Sequence, residues 1–153
     1  IRKSRRFRRS RQWEKTNLSH FVTLVTLMDK LQKNPRYRER KKAARALGRM
    51  GKMAAPAELA LKRALEDSHW TVRAEAANAL GRIGPPVKAS IHQLVLALDD
   101  PSSKVRSSAA LALGKIGIHS KEVFRTLGRL LYDSDARVRS SAEWALQRIA
   151  KPR

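Results

Sequence analysis

The hexapeptide Ala46-Leu47-Gly48-Arg49-Met50-Gly51 returns as Ala79-Leu80-Gly81-Arg82-Ile83-Gly84 and again as Ala112-Leu113-Gly114-Lys115-Ile116-Gly117. A decayed copy follows as Ala145-Leu146-Gln147-Arg148-Ile149-Ala150, and each step is 33 residues. A second column keeps the same register: Val72-Arg73, Val105-Arg106 and Val138-Arg139, with Glu39-Arg40 in the first copy. A third column is acidic, Asp67, Asp100 and Asp133, with Asn34 in the first copy. A chain that repeats at this period is restricted to a stack of like units, because one unit cannot bury its apolar face alone.

Each unit reads as two helices. In the second copy the first helix is expected from Pro56 to about Leu65, with Pro56 near the start, where its missing N–H does no harm. Leu61 and Leu65, four residues apart, fall on one face. Asp67-Ser68-His69 is a turn and cap sequence, and it leaves Trp70 in the turn with a packing role. The second helix is expected from about Thr71 to Ile83, with Val72, Ala76, Ala79, Leu80 and Ile83 on the helical period and facing inward. Gly84 and Pro85-Pro86 end it, and the glycines in general read as helix stops. The alanines keep this helix thin, so that neighbours can approach closely. The expected architecture is all-α: four two-helix repeats at about 17–51, 52–84, 85–117 and 118–150, preceded by a basic flexible arm over 1–16.

An Asp, then Val-Arg six residues later, then Ala-Leu-Gly-x-Ile-Gly resembles the HEAT-like repeat family, in particular the short repeats of phycobilisome lyases. The resemblance covers about residues 17–150. It implies a right-handed α-α superhelix whose second helices line the concave surface. It also implies a ladder of Asp and Arg within and between repeats. Carried over, Asp67, Asp100 and Asp133 pair with Arg73, Arg106 and Arg139. The first repeat departs from the pattern at Asn34 and Glu39, and its first helix, from about Asn17 to Leu31, is unusually apolar.

Charge narrows the range of partners. The chain carries 34 Lys plus Arg against 13 Asp plus Glu, a net +21. That is far beyond the roughly 2–8 that keeps a small domain soluble, and it favours an acidic partner. Residues 1–53 hold 18 basic and 3 acidic side chains; residues 54–153 hold 16 and 10. One cluster is the arm, with Arg5, Arg6, Arg8, Arg9 and Arg11; so charged a segment is expected to be disordered when free. The other includes Lys41, Lys42, Arg45 and Arg49, and in it Lys41, Lys42 and Arg45 stand close enough to repel. Both clusters are candidate polyanion contacts.

On the second helices, which the resemblance places along the concave face, the helical pattern turns three columns of side chains outward, where a partner would meet them. One column is basic in all four repeats: Arg49, Arg82, Lys115 and Arg148. A cation near a helix C-terminus gains ~0.3–1 kcal/mol from the helix dipole, so the column has a structural explanation beside a binding one. Another column places Leu111 next to Trp144, an aromatic–aliphatic pair typical of interface anchors; the alternative is that Trp144 covers the end of the stack.

The sequence carries no catalytic signature. It has no P-loop, dinucleotide fingerprint or Gly-x-Ser-x-Gly. Cysteine is absent, and the histidines His20, His69, His92 and His119 form no i, i+4 ligand pair. Iron-binding hydroxylases of the resembled family use His-Glu dipeptides, which do not occur here. No enzymatic activity, metal or cofactor is expected. No apolar run reaches the ~18 residues of a membrane span; Phe21 to Met28 is interrupted by Thr23 and Thr26. The chain starts at Ile1, so a processed chain or a piece of a longer one is expected. The expected function is a protein-binding scaffold in the cytoplasm. Two alternatives stand beside it: nucleic-acid binding with little sequence specificity, and the cytosolic part of a membrane-anchored protein in which Ile1–Arg6 is the juxtamembrane segment.

Overall fold

The computed structural model describes the backbone of residues 2–151 and the side chains of residues 14–151. Among the described residues eight α-helices occur in four pairs: α1 (Arg2–Lys33) with α2 (Tyr37–Arg49), α3 (Glu58–Ala64) with α4 (Trp70–Ile83), α5 (Ile91–Leu96) with α6 (Ser103–Ile116), and α7 (Lys121–Leu130) with α8 (Ala136–Ala150). No strand occurs among the described residues. The helix expected from Pro56 opens as a 3₁₀ turn, Gly51–Ala57, and becomes α-helical only at Glu58. Helices α2, α4, α6 and α8 pack side by side as one layer, and the first helix of each pair packs on that layer. This is an α-solenoid.

The core lies between the layers and follows the expected period. Val72, Ala76, Ala79, Leu80 and Ile83 are buried, as are Val105, Ala109, Ala112, Leu113 and Ile116 one unit later. Gly48, Gly81 and Gly114 are not helix stops. They lie inside α2, α4 and α6, where the next helix comes closest. A Cβ added at Gly48 would stand 2.9 Å from the Cα of Ala79, and one at Gly81 would stand 2.8 Å from the Cα of Ala112. Only hydrogen in place of a side chain lets these backbones meet, so the glycine column sets the spacing of the stack. The second glycine of each motif does end its helix: Gly117 takes φ 73° in the left-handed region after α6. In the fourth copy Gln147 replaces the contact glycine and Glu143 replaces the buried Ala44, Ala77 and Ala110; both are exposed. That face of α8 is polar, as an outer face of a solenoid is.

The acidic column performs two tasks. Asp67, Asp100 and Asp133 each accept the backbone N–H two residues on, at His69, Ser102 and Asp135. These are Asx turns that start the second helix of each pair. Each carboxylate also receives an arginine, but not the one expected. Arg73 reaches Asp100 at 2.7 Å and Arg106 reaches Asp133 at 2.8 Å, while Asp67 is taken by Arg40 at 2.7 Å. The pairing is therefore between repeats, not within them, because each guanidinium points along the stack. Within its own repeat the same arginine donates to carbonyls: Arg73 to Asp67 O, Arg106 to Asp100 O and Arg139 to Asp133 O. Arg139 has no carboxylate partner among the described residues. Asn34 keeps the Asx turn, accepting the Arg36 N–H at 2.9 Å, without the charge.

Helix α1 departs from the repeat. The boundary expected at residue 16 falls inside it, because residues 2–33 contain neither Pro nor Gly and their Arg, Lys, Gln and Leu are good helix formers. The side chains of residues 1–13, including the candidates Arg5, Arg6, Arg8, Arg9 and Arg11, lie outside the described residues.

Candidate functional site

The outer surface of the second-helix layer carries a groove of about 340 Å³ that crosses the repeats, lined by Lys41 of α2, Trp70 to Asn78 of α4, Ser103 to Ser108 of α6 and Arg137 of α8. A second hollow of about 330 Å³ continues it over the first repeat, sharing Lys41 and Thr71 and adding Tyr37, Arg38, Lys42 and Arg45. The lining includes small side chains, Thr71, Ala74, Ser107 and Ser108. Together the two linings hold six basic side chains against one acid, Glu75.

That acid is already engaged. Arg45 donates to Glu75 across the repeat boundary, from Nε at 3.1 Å and more closely from Nη2. Lys42 pairs with Glu39 at 2.8 Å, and its ammonium holds the Glu39 carboxyl below its ordinary value. Two of the three clustered cations are thus paired, because their partners stand three residues away on α2 and 30 residues away on α4. Lys41 and Lys104 have no carboxylate partner among the described residues. Arg137 is tied to Asp135 at 3.3 Å.

Aromatic rings border the groove. Trp70 is the first residue of α4, not part of the turn, and 38% of its surface is exposed. The Lys104 ammonium stands 4.9 Å from its ring centroid, within cation–π range. Behind it His69 stacks on Tyr37 with centroids 3.6 Å apart, and the His69 ring caps α4 by accepting the Thr71 N–H at 3.3 Å. The sequence signal for Trp70 was its register with Tyr37, one unit earlier.

The basic column has a packing role. The aliphatic stem of Arg82 covers Gly48, and that of Lys115 covers Gly81, each with its Cδ about 3.5 Å from where a Cβ would be. A long stem fills the notch while its charge stays in water. At Gly114 the ring of Trp144 fills the notch instead, and Arg148 lies over that ring, 5.4 Å from the centroid. Trp144 remains 37% exposed and Leu111 is half-buried. Arg49 is exposed at the start of the row.

A family model described as HEAT repeats matches residues 24–92 and 91–153. No curated protein matches. Among solved structures, an engineered protein superposes with a TM-score of 0.68 at 25% identity, over 83% of this chain and 62% of that one. Human deoxyhypusine hydroxylase in complex with glycerol superposes with a TM-score of 0.64 at 29% identity, over 82% of this chain and 43% of the enzyme. A designed armadillo repeat protein, solved with a (KR)4 peptide, is similar in fold, with a TM-score of 0.67 at 21% identity over 80% of this chain and 62% of that one. The chain thus spans less than two thirds of each of these structures.

Proposed function

The chain belongs to the HEAT repeat family, and from that premise we propose that it is a non-catalytic scaffold whose grooved face holds an acidic, extended segment of a partner protein. The carrying observation is the groove's imbalance of charge. Its one acid is neutralised by Arg45, while Lys41 and Lys104 line the groove without a carboxylate partner among the described residues, beside small side chains. Carboxylates of an extended chain would meet these two ammonium groups, and an apolar side chain would lie on Trp70. The basic clusters of the first repeat add long-range attraction, which raises the association rate more than the affinity.

The experiment is fluorescence anisotropy with a labelled Glu/Asp-rich peptide, a Lys/Arg-rich peptide and a DNA duplex. The acidic peptide should bind, the basic one should not, and Lys41→Ala with Lys104→Ala should weaken the acidic peptide by about tenfold or more. Binding of the duplex alone, falling steeply with salt, would replace this reading with nucleic-acid recognition.

A further inference from the structure

Helix α1 carries a second surface that the groove does not use. Leu18, Phe21, Val22 and Val25 follow the i, i+3, i+4, i+7 spacing and form one stripe, and all four are exposed, Phe21 by 62%. The buried contacts of α1 are on a different side: Leu24 and Leu31 are buried and Leu27 and Met28 are half-buried. The repeat does not require the stripe. One unit later the same register reads Gly51, Ala54, Ala55 and Glu58, and the chain there forms the turn that enters α3. Helix α1 therefore extends beyond the point where the first helix of the second pair begins. The opposite end of the stack is polar, with Glu143 and Gln147.

The same helix continues toward its N-terminus into a sequence with eight basic residues and one acidic residue over positions 1–15. Each simple occupant satisfies only half of this surface. A nucleic acid would neutralise the charge but offers nothing to the apolar stripe. A second copy of the chain would cover the stripe but bring two strongly basic segments together. An anionic lipid surface satisfies both, with headgroups taking the cations and the acyl boundary taking Phe21, Leu18 and the valines. No helix among the described residues is long and apolar enough to cross a membrane, so the contact is with the surface. We propose that α1 is an interfacial helix that seats on anionic lipid through Leu18, Phe21, Val22 and Val25, with the basic segment as its electrostatic attachment.

The test is sedimentation of the 153-residue chain with phosphatidylglycerol–phosphatidylcholine vesicles and with phosphatidylcholine vesicles. The chain should sediment with the anionic vesicles only. Phe21→Gln with Val22→Gln keeps every charge and should weaken that binding about tenfold. Leu96→Gln with Tyr132→Gln, at two other exposed positions, should leave it unchanged. Circular dichroism of each variant checks that the helices persist; if the first double variant unfolds, Leu18→Gln alone should show the loss. Equal binding of the wild type and the stripe variants would mean that charge alone holds the chain, and the proposal fails. It fails also if no binding occurs, or if sedimentation without vesicles shows a dimer that the stripe variants abolish. None of these results bears on the acidic-peptide experiment, which reads a different face.

Discussion

Arg73 and Asp100 stand 27 residues apart, and the guanidinium of one grips both carboxylate oxygens of the other, at 2.7 and 3.0 Å. The remaining nitrogen of Arg73 donates to the carbonyl of Asp67, in its own repeat. One side chain thus fastens the start of its own second helix to the start of the next. Both partners are mostly buried, so the bidentate geometry acts with little screening by water.

Removing a rung should cost more than removing the last arginine. Arg106→Ala leaves the Asp133 carboxylate with only the Asp135 N–H and removes a donor from the Asp100 carbonyl, and should lower stability by about 1–3 kcal/mol. Arg139→Ala loses only carbonyl contacts and should cost about 0.5–1 kcal/mol. Arg125→Ala, at an exposed position of α7, should change little. Urea melts of the three variants measure the order; equal midpoints would remove the ladder from the account of stability.

The ladder also predicts an acid limit. Arg106 holds the Asp133 carboxyl below its ordinary range, helped by the Asp135 N–H. For Asp67, burial pushes upward but Arg40 and the His69 N–H together outweigh it. A lowered folded-state value gives stability that is complete above the unfolded pKa, about 3.9, and is lost as pH falls through the folded value. The melting temperature should therefore drop below about pH 4. Asp133→Asn should start lower at neutral pH and fall less steeply in acid. An identical slope for the variant would show that other carboxylates carry the effect.

Two glycines inside helices should respond to alanine with opposite signs. At Gly81 the new Cβ meets the backbone of Ala112, so Gly81→Ala should destabilise by about 1–3 kcal/mol. At Gly128 of α7 nothing stands within 4 Å, and Gly128→Ala should stabilise by roughly 0.5–1 kcal/mol through helix propensity. Thermal melts decide it; a Gly81→Ala protein that melts at or above the parent temperature would mean that the stack spacing is not set by the glycine column.

The two exposed tryptophans should separate binding from packing. Trp70→Ala should lower stability less than Trp144→Ala, since no notch opens behind it, while weakening the acidic peptide. Trp144→Ala opens the notch at Gly114 and should lower stability by about 1–3 kcal/mol. If Trp144→Ala melts normally and Trp70→Ala binds normally, both assignments are wrong.

The solenoid was readable in the sequence because a period of 33 residues leaves few other folds. The buried face of α4 was readable too, since Val72, Ala76, Leu80 and Ile83 keep the helical period. The partner of each arginine was not. With every column repeating, Asp67 and Asp100 are equally regular choices for Arg73, and only the direction of the guanidinium along the stack decides between them. The contact glycines were misread as stops for a similar reason: a glycine near a helix end looks the same whether it bends the chain or admits a neighbour. Gln147 was the available signal, because the fourth copy gives up that glycine and not the helix. The groove was half legible. Lys41 and Lys42 look alike in sequence, and the Glu75 that quiets Arg45 belongs to another repeat.

The offset of the ladder makes the chain countable in whole units. Each rung spans 27 residues and each Gly–Ala contact spans 31, but both recur every 33. Excising residues 85–117 would leave Arg73 facing Asp133 and Gly81 facing Ala145 in the same register, with the polar face of α8 still outermost. A three-repeat protein made this way should fold, with a shallower urea transition in proportion to the surface lost. Excising 30 residues from the same place would break both rows at once. Length in this architecture is therefore a discrete variable: the molecule tolerates losing a whole repeat better than losing part of one.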